Sequence, residues 1–379
     1  MADPLFDQVS ATTLSEMFED IAYDCFFVQG ALPRKMRMSG AFEPYEGGTG
    51  MQSPFVYDRL NGGAYAPGSD VQVTQKQVLA ATIFPPRAYE ITIPENEWQT
   101  YVLNAGPAAK VSILDTYIQV ALMSMETDFN VDMYNHGQAA PTGLATNRIL
   151  NMDGASEAMN NGIDNSWDGN IFGNYGGQAR NGAVGNTLNS TPVWMGNAQG
   201  GLGQITYQAI LGMYLNCVEP PDIGTMNKQA YAALLARQEP KQGFTVEKDV
   251  SIGIEGLKLL NCYLHVDKLA PSTKFGGLLP AGLSQTTSLT PPSFTSTSTP
   301  TTQSGLPSNK TITVGEPIFM WRAQDWKFRP AESEQYNFYF TPPARSQYNP
   351  DLVVRFLRTA INFYCVVPRN QSHGFGGGF

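Results

Sequence analysis

The chain has 379 residues, with 24 basic side chains against 33 acidic ones and a formal charge of −9. That length is ample for a hydrophobic core needing neither disulfides nor a metal, and the acidic balance argues against a protein whose main work is gripping a nucleic-acid backbone. Charged residues make up only 15% while Gly, Asn, Gln, Ser, Thr and Tyr abound, a composition closer to protein interface than to solvent-facing skin.

The start, Met1-Ala2-Asp3-Pro4-Leu5-Phe6-Asp7, has neither a basic leader nor an apolar run, and no later stretch approaches a membrane span, so the expectation is a soluble protein made in the cytoplasm. Cys25, Cys217, Cys262 and Cys365 are scattered without a CxxC pair, most among apolar neighbours. They read as buried free thiols, which suits a reducing compartment.

In chain order, residues 1–40 read as an arm: a short amphipathic helix around Ser15–Tyr23, then the aromatic pair Phe26-Phe27, then polar, basic Pro33-Arg34-Lys35. From Ala41 to Pro94 a Gly-, Pro- and Tyr-rich stretch, loop-like from Gly47 to Gly63, precedes two alternating runs, Val71–Val78 and Ala88–Ile93, whose period of two predicts β-strand. The cleanest helix follows Gly106-Pro107. Val111, Leu114, Ile118, Leu122, Met125, Phe129 and Met133 recur every three or four residues, giving one apolar stripe on a helix of about 28 residues that stops near Asn135-His136-Gly137.

Residues 138–204 are biased to Gly and Asn, with Trp167, Tyr175 and Trp194 as isolated anchors. Helices are expected over Thr206–Cys217 and Asn227–Arg237, separated by Glu219-Pro220-Pro221-Asp222, in a mixed α/β unit. The run from Gly276 to Asn309 is Ser/Thr/Pro-rich and reads as an exposed loop or insertion. Strands are expected over Glu316–Trp321 and Leu352–Val367, with a short helix as the alternative for the latter, before a flexible tail, Gly374–Phe379.

Chemistry was sought in the usual constellations. The three histidines, His136, His265 and His373, fit no metal-ligand spacing, and His136 reads as a cation at a helix C-terminus. Gly200-Gly201-Leu202-Gly203 lacks the residues of a phosphate loop or a dinucleotide fingerprint. Asp164-Asn165-Ser166-Trp167-Asp168-Gly169 begins like a calcium loop, but Tyr175 stands where a bidentate Glu is required, so a structural turn is expected. Glu90, Glu95 and Glu97 would need to face one cleft to act as paired carboxylates, and read instead as solvated or subunit-pairing groups. The sequons at Asn189, Asn309 and Asn370 read as chance matches. No catalytic residue, cofactor or metal is therefore assigned, and the chain does not read as an enzyme.

The order of elements, and segments such as Val78–Trp98 running into Ala108–Tyr134, Ile205–Arg237 with its Pro-Asp-Ile-Gly-Thr core, Gly256–Asp267 and Gly315–Phe328, resemble the major capsid proteins of tailed phages, the Hong Kong 97-type capsid fold. The resemblance implies an α+β fold with an N-terminal arm (1–40), an extended β-hairpin or E-loop (41–94), a peripheral domain carrying the long spine helix (95–140), an axial domain (141–330) with the Ser/Thr/Pro-rich insertion at 276–309, and a return to the peripheral domain with the tail (331–379). It further implies self-assembly into hexamers and pentamers of an icosahedral shell enclosing double-stranded DNA. A portal protein, scaffolding and decoration proteins and non-specific contact with packaged DNA are the implied partners, with no membrane. Location in the virion capsid follows, after assembly in the host bacterial cytoplasm.

An aromatic arm and a Gly/Pro-rich excursion have little core of their own, so their burial is expected to come from neighbouring copies. Phe26, Phe27, Tyr45, Phe55, Tyr57, Tyr65 and Lys76 are the subunit-interface candidates. In some relatives a Lys of the E-loop joins a neighbour's Asn covalently; Lys76 lies in the corresponding strand, but a solvated or salt-bridged Lys is the expectation, with no cross-link. The other classes open at this level are a secreted β-rich carbohydrate-active enzyme, motivated by the Gly, Asn and aromatic abundance, and a tail or adhesin structural protein.

Overall fold

The computed structural model describes residues 31–58, 60, 63–68, 75–98, 113–137, 151–164, 166–167, 171–180, 194–199, 207–237, 246–249, 254–267, 269–271, 316–333, 336–345 and 351–375. The elements run α1 (Ala31–Met38), β1 (Met51–Val56), β2 (Leu79–Phe84), β3 (Arg87–Asn96), α2 (Ile113–Asp132), α3 (Ala155–Ala158), β4 (Asn174–Tyr175), β5 (Gln178–Ala179) and β6 (Asn197–Gln199). They continue with α4 (Tyr207–Asn216), β7 (Ile223–Met226), α5 (Lys228–Arg237), β8 (Val246–Asp249), β9 (Ile254–Leu259), β10 (Cys262–Val266) and β11 (Pro317–Trp321). Last come β12 (Trp326–Pro330), β13 (Tyr339–Phe340), β14 (Ala344–Arg345), β15 (Leu352–Cys365) and β16 (Ser372–Phe375).

The run Leu352–Cys365, rich in β-branched and aromatic residues, forms one 14-residue strand rather than a helix. It pairs antiparallel with β3 from Leu352↔Asn96 to Ile361↔Arg87, and with β14, β13 and β12 in turn. Alternate residues Val353, Leu357, Thr359, Ile361, Phe363 and Cys365 are buried, and α2 lies against this sheet with Tyr89 and Phe129 in edge-to-face contact at 4.9 Å. On the free edge of β12 the segment 41–45 adds a parallel bridge, Phe42↔Phe328 and Tyr45↔Ala331, whose backbone bonds occupy an edge that would otherwise be open.

A seven-stranded sheet runs in the order β6-β16-β11-β7-β10-β9-β8. Its centre is buried on both faces: in β11, Phe319 and Trp321 join the core shared with the first sheet, whereas Ile318 and Met320 face a second core with Ile210, Met213 and Leu234 of α4 and α5. That is why Pro317–Trp321 reads as a continuous apolar run instead of an alternating one. Asn227 caps α5, its side-chain oxygen accepting from the Ala230 amide at 2.7 Å.

Several expectations need correction. The loop-like stretch 47–63 contains β1, and Gln75–Val78, expected as strand, is irregular, with β2 beginning only at Leu79. The described part of the long helix is Ile113–Asp132, and its buried stripe runs Ala121, Met125, Phe129, with Leu122 exposed: at 100° per residue Leu122 sits to one side of the line through 121, 125 and 129. Gly374 and Phe375 are not tail but belong to β16, which pairs with β11 on one side and, in parallel, with β6 on the other. The Gly/Asn-rich region carries α3 and β4 to β6, invisible in its composition because each is short and held by tertiary contacts. Arg180, fully buried, donates to the carbonyls of Glu157, Ala158 (3.3 Å) and Asn160 (2.5 Å), serving the orphan acceptors at the end of α3.

Candidate assembly surfaces

The β1–β2 hairpin is amphipathic in an unusual place. Its register pairs Gln52↔Ile83, Pro54↔Ala81 and Val56↔Leu79 on one face, and Met51↔Phe84, Ser53↔Thr82 and Phe55↔Ala80 on the other. The second face is covered by the chain itself. Phe55 stacks on Trp194 at 4.4 Å, Phe84 stacks on Tyr364 at 4.3 Å and meets Tyr175 at 5.1 Å, the Ile83 amide donates to the Gly176 carbonyl at 3.0 Å, and Gln178 Nε2 donates to the Ala81 carbonyl at 2.6 Å. Gly176 has φ +57°, and a Cβ there would lie 2.7 Å from Phe84 Cζ, so this approach demands glycine.

The first face points to solvent. Val56 is 62% exposed and Leu79 and Ile83 are each 56% exposed, with Pro54 exposed between them. Helix α2 also leaves Val120 and Met123 exposed, three residues apart on the side away from its buried stripe, whereas its last turn, Phe129 to Asp132, is buried all round. Exposed apolar side chains scattered singly are ordinary; a strand-paired row of them is not.

At the base of the hairpin lies a buried polar cluster. Asn362, fully buried in β15, donates from Nδ2 to Asp153 Oδ2 (2.8 Å) and to the Pro85 carbonyl (2.7 Å), while its Oδ1 accepts from the Asp153 amide (3.2 Å). Arg87 Nη2 pairs with Asp153 Oδ1 at 2.9 Å. Tyr89 donates to Asp132 Oδ2 (2.8 Å) and accepts from the Met152 amide (3.1 Å). Burial pushes the Asp153 carboxyl above its ordinary value against the pull of Arg87 and Asn362. A Cβ on Gly137 would fall 2.3 Å from Asp153 Oδ1, so the loop is seated directly on the end of the helix.

The interface candidates are not brought together. Phe26 and Phe27 lie outside the described residues. Tyr45 is half-buried in the bridge beside β12 and donates its hydroxyl to the Gly48 carbonyl. Phe55 is spent on Trp194 within the same chain, and Tyr57 stands edge-on to it at 6.5 Å. Tyr65 is 71% exposed, and Lys76 forms an ion pair with Asp58 at 2.5 Å, as a salt-bridged lysine would. The expectation that the first 94 residues depend on other copies fails for much of the described part: Leu32, Met36, Ala41, Met51, Phe84 and Ile93 are all in the main core. What reasoning from composition missed was the row Pro54, Val56, Leu79, Ala81, Ile83; the alternation of Leu79, Ala81 and Ile83 was the signal that could have found it.

The groups considered for chemistry are dispersed and committed. His136, His265 and His373 are all buried; His136 packs on Phe172 at 5.0 Å in place of offering an exposed cation, and His373 Nε2 lies 3.3 Å from the buried Ser166 hydroxyl. Glu90 pairs with Arg358 (2.6 Å), Glu95 with Arg355 (3.2 Å) and Glu97 with Arg345 (3.1 Å), and Glu90 and Glu95 lie on opposite faces of β3. These carboxylates do not converge: Glu95 is buried, whereas Glu90 is exposed and Glu97 half-buried, and all three pair with arginines of β14 and β15. Tyr175 is a core residue, and among the described residues no group of three metal-ligating side chains gathers. Asn370 is buried and donates to Asp325 at 2.8 Å; the other two sequons lie outside the described residues. Cys217, Cys262 and Cys365 are buried free thiols, with Cys217 pushed up to about 12 by burial.

No family model and no curated protein matches the chain. Solved structures do. The chain is similar to the capsid of cyanophage A-1(L), with TM-score 0.53 and 12% identity over 96% of this chain and 97% of that one. It is similar to the capsid of a native GTA particle, with TM-score 0.53 and 8% identity over 96% and 94%. The SrpI encapsulin of Synechococcus elongatus matches with TM-score 0.52 and 9% identity over 97% and 95%. This chain has the Hong Kong 97-type capsid fold. The capsid fold takes in nearly all of the chain, so the hairpin, both sheets and α2 fall within the compared length. No described helix is long and apolar enough to cross a membrane.

Proposed function

We propose that this chain is the major capsid protein of a tailed phage, a non-enzymatic subunit that assembles into hexamers and pentamers of an icosahedral shell around double-stranded DNA. In this reading β1–β2 is the E-loop, α2 the spine helix, the β15 sheet the peripheral domain and the seven-stranded sheet the axial domain. The observation that carries it is the exposed row Pro54, Val56, Leu79 and Ile83, with half-buried Ala81 among them, backed by a face that the chain has already covered. A sheet face so presented gains by meeting a different surface on another copy, and head-to-tail contacts of that kind close into rings. Val120 and Met123 on the outer side of α2 offer an apolar counterpart. Contacts of about 1,600 Å² each need be only moderate, since a closed lattice multiplies them.

A portal protein, scaffolding and decoration proteins and loose contact with DNA follow as partners, and the virion head as the location, with assembly in the bacterial cytoplasm. The three described cysteines, all free thiols, suit that compartment. The test is Ile83→Glu with Val56→Asp: the subunit should keep its fold by circular dichroism yet form no particles under the electron microscope. Normal particles from the double variant would remove the row from the interface.

A further inference from the structure

The hairpin is attached to the body at two levels, and both attachments are intramolecular. At its base, Asn362 uses both N–H groups of its amide, one on the Pro85 carbonyl, where β2 turns into β3, and one on Asp153, which Arg87 holds from the other side of the same turn. Half-way along, the Ile83 amide on Gly176 and Gln178 on Ala81 tie β2 to the β4–β5 hairpin, and Phe55 stacks on Trp194, whose ring N–H donates to the Tyr175 carbonyl at 3.0 Å. The members of the base cluster come from β15, the loop before α3, the β2–β3 turn and the first residue of β3. The opposite leg is held otherwise: Met51 is buried in the main core and Tyr45 donates its hydroxyl to the Gly48 carbonyl, while Gly47 and Gly48 carry φ +132° and +109° and a Cβ on Gly47 would meet nothing within 4 Å.

We propose that Asn362, Asp153 and Arg87 form a clasp that fixes the angle at which the hairpin leaves the body, making Asn362 a positioning residue for assembly. The physical ground is the cost of leaving the clasp half made: truncating Asn362 strips Asp153 Oδ2 of its donor in a buried setting where water cannot replace it, and releases the Pro85 carbonyl at the exposed turn. The clasped leg is the one that carries Leu79, Ala81 and Ile83, so the clasp sets where the exposed row points. On this reading, adjustment between six-fold and five-fold positions does not come from the β2 root of the hairpin.

This inference rests on the shell-building reading, so its test has one arm that needs no shell. Hydrogen exchange on the disassembled subunit compares the wild type with Asn362→Ala, and with the milder Gln178→Ala and Phe55→Ala, which touch only the half-way tie. Asn362→Ala should speed exchange of the Leu79–Phe84 amides about tenfold or more while leaving Ile318–Trp321 at the wild-type rate; the milder variants should speed the same amides less. Particles assembled from Asn362→Ala should show a broadened or shifted distribution of diameters. Exchange unchanged at 79–84, or raised equally at 318–321, would overturn the clasp, and a selective rise with wild-type particle diameters would overturn its role in positioning. If the wild-type chain makes no particles the shell-building reading fails, while the exchange arm still decides the clasp.

Discussion

Asn362 and Phe129 show how single side chains carry very different kinds of information. Phe129 is 1% exposed and contacts Tyr89, Phe328 and Phe338, so Phe129→Ala should cost about 3–5 kcal/mol, read as a lowered denaturation midpoint of the disassembled subunit; a loss under about 1 kcal/mol would mean the helix is not seated as described. Glu126, one turn before Asn130 on α2, is 4% exposed, and its Oε1 meets no hydrogen-bond donor, so burial raises its carboxyl to about 7 from an ordinary 4.5. A carboxyl whose folded pKa lies above its unfolded value holds its proton more tightly in the folded chain. Its charge therefore costs nothing below pH 4.5, costs progressively more as pH rises towards 7, and costs its full amount above that. Glu126→Gln should accordingly raise the thermal midpoint at pH 8 by about 2–5 °C and leave it unchanged at pH 4; equal midpoints at both pH values would contradict this. Cys217, with its thiol pushed up to about 12, should ignore a thiol reagent at pH 8 until denaturant is added.

Among the elements, those with long periodic signals were legible and those held by tertiary contacts were not. The spacing of Met125 and Phe129 gave α2, alternation gave β3, and the apolar runs gave β11 and β15. Strand β1 was hidden because Met51-Gln52-Ser53-Pro54-Phe55-Val56 is short, contains Pro and is flanked by glycines, and β16 because Ser372-His373-Gly374-Phe375 has no pattern of its own and is a strand by virtue of neighbours on both sides. The same reasoning explains why interface candidates chosen for aromatic character went partly astray: Phe55 found its partner in Trp194, 139 positions later in the same chain, a contact no local pattern announces. The Ser/Thr/Pro-rich insertion lies outside the described residues, but the strands that flank it belong to one sheet. Val266 and Ile318 both pair with Met226, from either side of β7, which puts the ends of β10 and β11 about 10 Å apart. Asn227 binds both rims of the gap, donating to the Pro271 carbonyl at 3.2 Å and to the Glu316 carboxylate. Replacing residues 274–313 with a short Gly/Ser linker should therefore leave the subunit folded, with a thermal midpoint within about 3 °C of wild type; an unfolded or aggregated product would show the insertion to be part of the fold.

Among the described residues, the two sheets share one core through Trp321, Trp326 and Phe363, and the hairpin is tied to the β15 sheet and to the β4–β5 hairpin. Among the described residues that arrangement gives the chain more core of its own than its Gly-rich, weakly charged sequence implies, and on the proposed function one face of the hairpin and the outer side of α2 are among the apolar surfaces left for a neighbour. A subunit of this kind can fold first and assemble afterwards, so folding and shell closure are separable by mutation. On the proposed function, folded subunits close into a shell. Electron microscopy of the purified wild-type chain across a concentration series tests it most directly: closed, uniformly curved particles or free capsomers of five and six copies are the expected result, and a folded monomer that stays monomeric at every concentration would contradict it.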